Sequence, residues 1–212
     1  MVVQVDRYEC NRLYRFGEQL GIKDSKQASG FGKMAAAEGL ALAMLERLHG
    51  RQPADADDLL RMVSLVDPSA LRAGCPETSA AQCWSARVPL PAFGGDAAQG
   101  RPALDALKKQ GVRLLAARSS LACAAELNRE RRRLGSKLTL DLLLFERLLL
   151  RARTEVGGEL SAYCGMVGGL RRYGDYFQQL GNRGVKPIGE GPSLCSYRVG
   201  GLGEVVFEVD AD

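Results

Sequence analysis

From Ala103 to the end of the chain the apolar residues change period several times, and this order of periods limits the fold more than any single motif does. "PALDALKKQG" suits a short helix ending at Gly111, and "VRLLAARS" suits a strand. "SLACAAELNRERRRLGSKLTLDLLLFERLLLRARTE" predicts two helices, or one broken near Gly135. In its second half Leu140, Leu143, Leu144 and Leu148 are spaced to form one apolar face. "ELSAYC" reads as a strand, buried and parallel if helices flank it. "LRRYGDYFQQLG" is expected to be helical despite Gly174, and "VKPIGE", "CSYRV" and "GEVVFEVDAD" are short β segments separated by glycines. Helix and strand alternate and then strands follow one another, which predicts an α/β fold with a mixed sheet flanked by helices and "ELSAYC" beside "VVFEVD" or close to it.

The first half is less regular. "KMAAAEGLALAMLERLHG" places Leu40, Met44, Leu45 and Leu48 at helical spacing with Gly50 just past the end. Residues 51–102 are rich in turn formers, with a helix expected around Leu59, and read as a variable insertion in a single domain spanning 1–212. The chain has 212 residues, 46% hydrophobic and 25% charged, in the ordinary globular range. A net charge of +4 permits a nucleic-acid partner without requiring one. Six cysteines form no C-x-x-C pair and His49 is the single histidine, so a zinc site has little to draw on. "MVVQVDRYEC" carries charge at once, and no apolar run is long enough to span a bilayer. The expectation is a cytoplasmic protein with reduced thiols and no membrane partner.

Four constellations could carry chemistry, and each also has a plain structural reading. "GIKDSKQ" sets Asp24, Ser25 and Lys26 ahead of a helix, where lysine and serine can meet a phosphate oxygen or simply form a capped turn. Between Arg129 and Arg153, eight basic residues against three acidic ones leave a local +5, which suits a phosphate backbone or a solvated helix face. Asn128 lies at the start of that run, with an amide able to meet a ligand or a cap. "GMVGGLRRY" offers Gly165, Gly168 and Gly169 for close backbone approach, then Arg171, Arg172 and Tyr173. On a strand, Glu204, Glu208, Asp210 and Asp212 share one parity, and such carboxylates ligate Mg²⁺ or Mn²⁺ or mark a polar strand end.

In this order the pieces resemble the type 2 ribonuclease H group of the ribonuclease H-like superfamily, nearest to its uncharacterised bacterial relatives. The resemblance rests on "DSK" at Asp24–Lys26, "ELN" at Glu126–Asn128, "GGLRRY" at Gly168–Tyr173, "SYR" at Ser196–Arg198 and "FEVDAD" at Phe207–Asp212. It implies a ribonuclease H-like mixed sheet. It also implies nucleic-acid contacts from Ser25, Lys26, Asn128, Gly168, Gly169, Arg171 and Tyr173, with Asp210 and Asp212 as catalytic, metal-binding carboxylates.

The departures point away from catalysis. The family's Asp-Glu-Ala-Gly strand is not found, and "VVQVDRYEC" offers only Asp6 and Glu9 in its place. The chain is therefore expected to begin after the family's opening hairpin and to lack the N-terminal strands. The family's aspartate before G-G-R falls on Gly165 and its arginine on Leu170, with Arg171 next to it. Two-metal hydrolysis needs several carboxylates around two hard cations. The expectation is a catalytically incomplete domain that binds an RNA–DNA hybrid or another duplex, with Mg²⁺ or Mn²⁺ as cofactor only if active. The alternatives are an active nuclease using Asp6, Glu9, Asp210 and Asp212, or an interaction module without nucleic acid.

Overall fold

A computed structural model describes residues 1–5, 32–72, 88–167 and 170–208. The chain divides into two compact units, Met1–Cys75 with Ser79–Ser119, and Pro76–Thr78 with Ser120–Asp212, where the sequence reading took one domain.

In the first unit, strand β1 (Val2–Val5) pairs antiparallel with β2 (Val112–Ala116). Helix α1 (Met34–His49) stops at Gly50, whose left-handed φ of 75° lets its N–H reach the Glu46 carbonyl. The helix expected near Leu59 is α2 (Ala56–Val63), capped by the Asp55 side chain, and a short α3 (Pro68–Arg72) follows. Helix α4 (Ala97–Lys109) begins five residues before Pro102, where the sequence had placed its first turn. The Asp96 side chain caps it by accepting the Ala98 N–H, so Pro102 lies inside the helix, and Ala97–Pro102 are regular rather than part of an irregular excursion. Helices α1 and α4 meet through small residues. A Cβ on Gly100 would lie 2.8 Å from the Leu40 Cα, and one on Gly39 would lie 2.6 Å from the Asp96 carbonyl oxygen. Behind this contact Leu42, Ala43, Ala97 and Leu104 form a small core.

An ion pair between the exposed Arg51 and the buried Asp58 ties α2 to the segment before it. The Arg51 guanidinium binds both oxygens of Asp58, and the Ala54 N–H adds a bond of 3.0 Å. Arg51 first, and then the Ala54 amide, hold the Asp58 carboxyl well below its usual 3.8. A depressed folded-state pKa stabilises the unit above the ordinary carboxylate pKa, and that contribution is lost as the pH falls from there through the folded value. The gap in urea midpoint between the native chain and Asp58→Asn should therefore be widest at neutral pH and close progressively below pH ~4. A gap that stayed constant down to pH ~2 would contradict this assignment.

The second unit holds helices α5 (Ala124–Leu134) and α6 (Lys137–Val156), then strands β3 (Leu160–Gly165), β4 (Val185–Glu190), β5 (Leu194–Val199) and β6 (Gly203–Glu208). The helix pair breaks at Gly135, left-handed at φ 75°, and Ser136 caps α6 by accepting the Leu138 N–H. The strands form one mixed sheet in the order β3-β6-β5-β4. As expected, β3 lies beside β6 in parallel, with Ala162 opposite Val205 and Tyr163 opposite Val206, while β5 is antiparallel to both its neighbours.

One sheet face carries Ala162, Cys195, Tyr197, Val199, Val205 and Phe207, and these pack with Leu142 of α6. Of the expected α6 stripe, Leu140 and Leu143 are buried but Leu144 and Leu148 are only half-buried. The side facing the core is instead Leu142, Glu146, Leu149 and Leu150, at helical spacing. A glutamate in the middle of that side hid it from a reading based on apolar spacing.

The expected helix over "LRRYGDYFQQLG" is corrected: only two 3₁₀ turns form, Gly174–Tyr176 and Gly181–Arg183. Glu146, 1% exposed, accepts the N–H groups of Gln178 (2.8 Å), Gln179 and Leu180 (2.7 Å). A helix would have spent those donors on carbonyls one turn back. The opened segment sends Tyr173, Phe177 and Leu180 into the core instead.

Candidate functional site at the end of the parallel strands

Strands β3 and β6 run in the same direction and end side by side, with Gly165 paired to Glu208. The chain then leaves the sheet, and the Met166 N–H donates to the Glu208 carbonyl at 3.1 Å. In α/β sheets the carboxyl ends of parallel strands are where side chains and loop amides converge on ligands. Gly165 is not there for steric reasons. Its φ is not positive, and a Cβ built on it would meet nothing within 4 Å. The position has room for a side chain and offers none.

The loop after Gly165 is held by a chain of hydrogen bonds. The Val167 N–H donates to the Tyr173 hydroxyl at 3.0 Å, and the Tyr173 N–H donates to the Tyr197 hydroxyl at 2.7 Å. Tyr197 in turn donates to Glu190 at 2.6 Å, and Arg172 approaches the same carboxylate at 3.6 Å. The Cys195 thiol donates to the Arg171 carbonyl at 3.1 Å. Burial, and then the Glu190 carboxylate, hold the Tyr197 phenol above its usual range, so it serves as a neutral donor. Burial likewise pushes the Cys164 thiol up to about 11. Cys164 is therefore a thiol at neutral pH and is no nucleophile in this state.

Tyr173 changes role. Expected to contact nucleic acid, it is fully buried, stacked on Phe207 with ring centroids 3.8 Å apart and planes 6° from parallel. Its ring belongs to the core, where it offers no face to a base or sugar, and its hydroxyl positions the loop. Arg171 is exposed at the loop end, as a phosphate contact needs to be. Asn128 is also exposed, but in the middle of α5 rather than at a helix start or bend. Ser25, Lys26, Gly168, Gly169, Asp210 and Asp212 lie outside the described residues, as do Asp6 and Glu9. The shared parity of the acidic strand holds for Glu204 and Glu208, which alternate with the buried Val205 and Phe207.

Much of the basic run is internally balanced. Arg133 and Arg129 pair with Glu130 at 2.7 and 3.8 Å, Arg147 with Glu126 at 3.9 Å, and Arg151 with Glu155 at 2.7 Å. Arg153 donates to the Gly201 carbonyl at 2.9 Å. These arginines form a solvated helix surface with local partners more than a free cationic strip.

Sequence reasoning missed Glu190 and the anchoring role of Tyr197. The signal available was "SYR" itself, since a tyrosine on an inward-facing strand position needs a polar partner. Among the described residues no group of three or more His, Cys, Asp or Glu is placed to hold a metal, and no helix is long and apolar enough to cross a membrane. No protein-family model, curated protein or solved structure matches the chain.

Proposed function

We propose that the chain is a ribonuclease H-like module of the cytoplasm that binds an RNA–DNA hybrid or related duplex and does not cleave it. The observation that carries this reading is Gly165. It stands at the carboxyl end of β3, beside the acidic end of β6, with space for a carboxylate and none present. Two-metal hydrolysis uses one cation to activate water and both to stabilise the charge on phosphorus, so it depends on several carboxylates converging there. Asp210 and Asp212 alone would supply too few. Arg171, exposed in the second unit, and Lys26, in the first, are each a separate candidate phosphate contact, with a duplex read through its minor groove and 2′-hydroxyls.

The test is an assay of the whole chain on a labelled hybrid with Mg²⁺ or Mn²⁺. No cleavage is expected, and Gly165→Asp, which the open space tolerates, should not restore it, because the family's opening carboxylate pair is still missing. Two phosphate contacts predict that a fourfold rise in salt weakens binding about tenfold, and Lys26→Ala should reduce this to about three- to fourfold. Chelator-sensitive cleavage lost in Asp210→Asn would establish an active nuclease instead. Absence of binding at low salt would leave a structural module.

A further inference from the structure

The first unit contains a groove of about 430 Å³ between β1, β2, α1 and α4, within the ~300–1,000 Å³ typical of small-molecule sites. Its floor is apolar, with Met44 from α1, Leu104 and Leu107 from α4, and Leu114 from β2. Leu104 is 4% exposed and belongs to the core of the unit, so the floor is fixed by packing rather than by a loose surface. The charged side chains lining the groove are all cationic: Arg47, Lys108 and Arg113. Arg47 is taken by Asp105, and Arg113 bonds a neutral partner, the Gln4 amide oxygen. Among the described residues Lys108 makes no salt bridge, though its charge also acts on Asp105. The charge left at the groove is therefore positive, set beside apolar walls.

We propose that this groove binds a monoanionic amphiphile of the medium-chain carboxylate class. The alkyl chain lies on Met44, Leu104, Leu107 and Leu114, and the carboxylate is held by Lys108 and Arg113. An apolar floor favours chain burial in proportion to length, and the cationic margin selects the head group by charge. A neutral alcohol of equal length satisfies the first requirement and fails the second. A cationic amphiphile is repelled. The groove is lined by none of the residues of the hybrid-binding reading and is argued independently of it.

Titration calorimetry of the full chain with decanoate, below its micelle threshold, tests the proposal. One saturable site per chain is expected, and each two-carbon extension from hexanoate to decanoate should tighten binding about tenfold. Decanol should bind more weakly. Lys108→Glu, on an exposed helix position, should keep the native circular dichroism spectrum and weaken decanoate about tenfold or more. Leu107→Trp, which fills the groove from a half-buried position, should also weaken it. Absence of saturable binding, equal affinity for decanol and decanoate, or unchanged affinity in both Lys108→Glu and Arg113→Glu would each overturn it.

Discussion

Gly203→Val should strongly destabilise the second unit. Gly203 opens β6 at φ +126°, a region that side-chain-bearing residues rarely occupy. An added Cβ would lie 2.1 Å from the Leu160 carbonyl oxygen and 2.8 Å from the Leu160 nitrogen, both backbone atoms that no rotamer change can move aside. Leu160 is the residue that Gly203 pairs with, so relief of the clash means separating the parallel strands at their first rung. Backbone strain and lost pairing together should cost about 3–5 kcal/mol, a large part of the ~5–15 kcal/mol that typically separates folded from unfolded states. A large drop in that unit's urea midpoint is the expected readout, with Gly203→Ala showing a smaller drop in the same direction. Gly165→Ala provides the contrast. Its Cβ meets nothing within 4 Å, and its unfolding free energy should change by no more than about 0.5 kcal/mol. Equal effects at the two glycines would refute the steric argument.

Glu146→Leu should destabilise the same unit by at least about 3 kcal/mol, although leucine suits the apolar surroundings and is a better match to the rest of α6. The carboxylate accepts three consecutive backbone N–H groups, and its removal leaves them without that acceptor, the buried Leu180 amide most severely. Glu146→Gln retains one carbonyl oxygen but turns an NH₂ group toward donors, so its stability should fall between the native chain and Glu146→Leu. Hydrogen exchange at Gln178, Gln179 and Leu180 would localise the effect, because those amides should lose protection before the rest of the sheet does. A Glu146→Leu variant as stable as the native chain would show that the segment is held by Tyr173, Phe177 and Leu180 alone.

These two positions also show which parts of the molecule could be read from residues in order. The stop of α1 at Gly50, the break at Gly135, the helix near Leu59 and the strands β3 to β6 follow from capping residues, left-handed glycines and local period. Proximity of β3 to β6 was legible because helices precede one and an antiparallel run leads to the other. The start of α4 was not. Pro102 looked like a first-turn proline, whereas the Asp96 cap and the close contact of Gly100 with α1 place the beginning earlier. At the candidate site, the lack of a side chain at Gly165 was visible as a letter in the sequence, but that the position has open space next to Glu208 was not.

The sequence by itself determined the order and kind of most elements, the absence of a side chain at the end of β3, and the alternation that turns Glu204 and Glu208 away from Val205 and Phe207. Those features depend on interactions that reach no further than a helical turn or an adjacent residue. Tertiary structure alone decided that the segment from Leu170 to Arg183 unwinds, that α6 turns Leu142 and Glu146 to the sheet, and that Tyr173 stacks in the core instead of facing solvent. The reason is distance along the chain. Glu146 meets its three amides across 32 to 34 residues, and Tyr197 meets Tyr173 across 24, so the partners that settle each local conformation lie far outside any window in which a local pattern can be read.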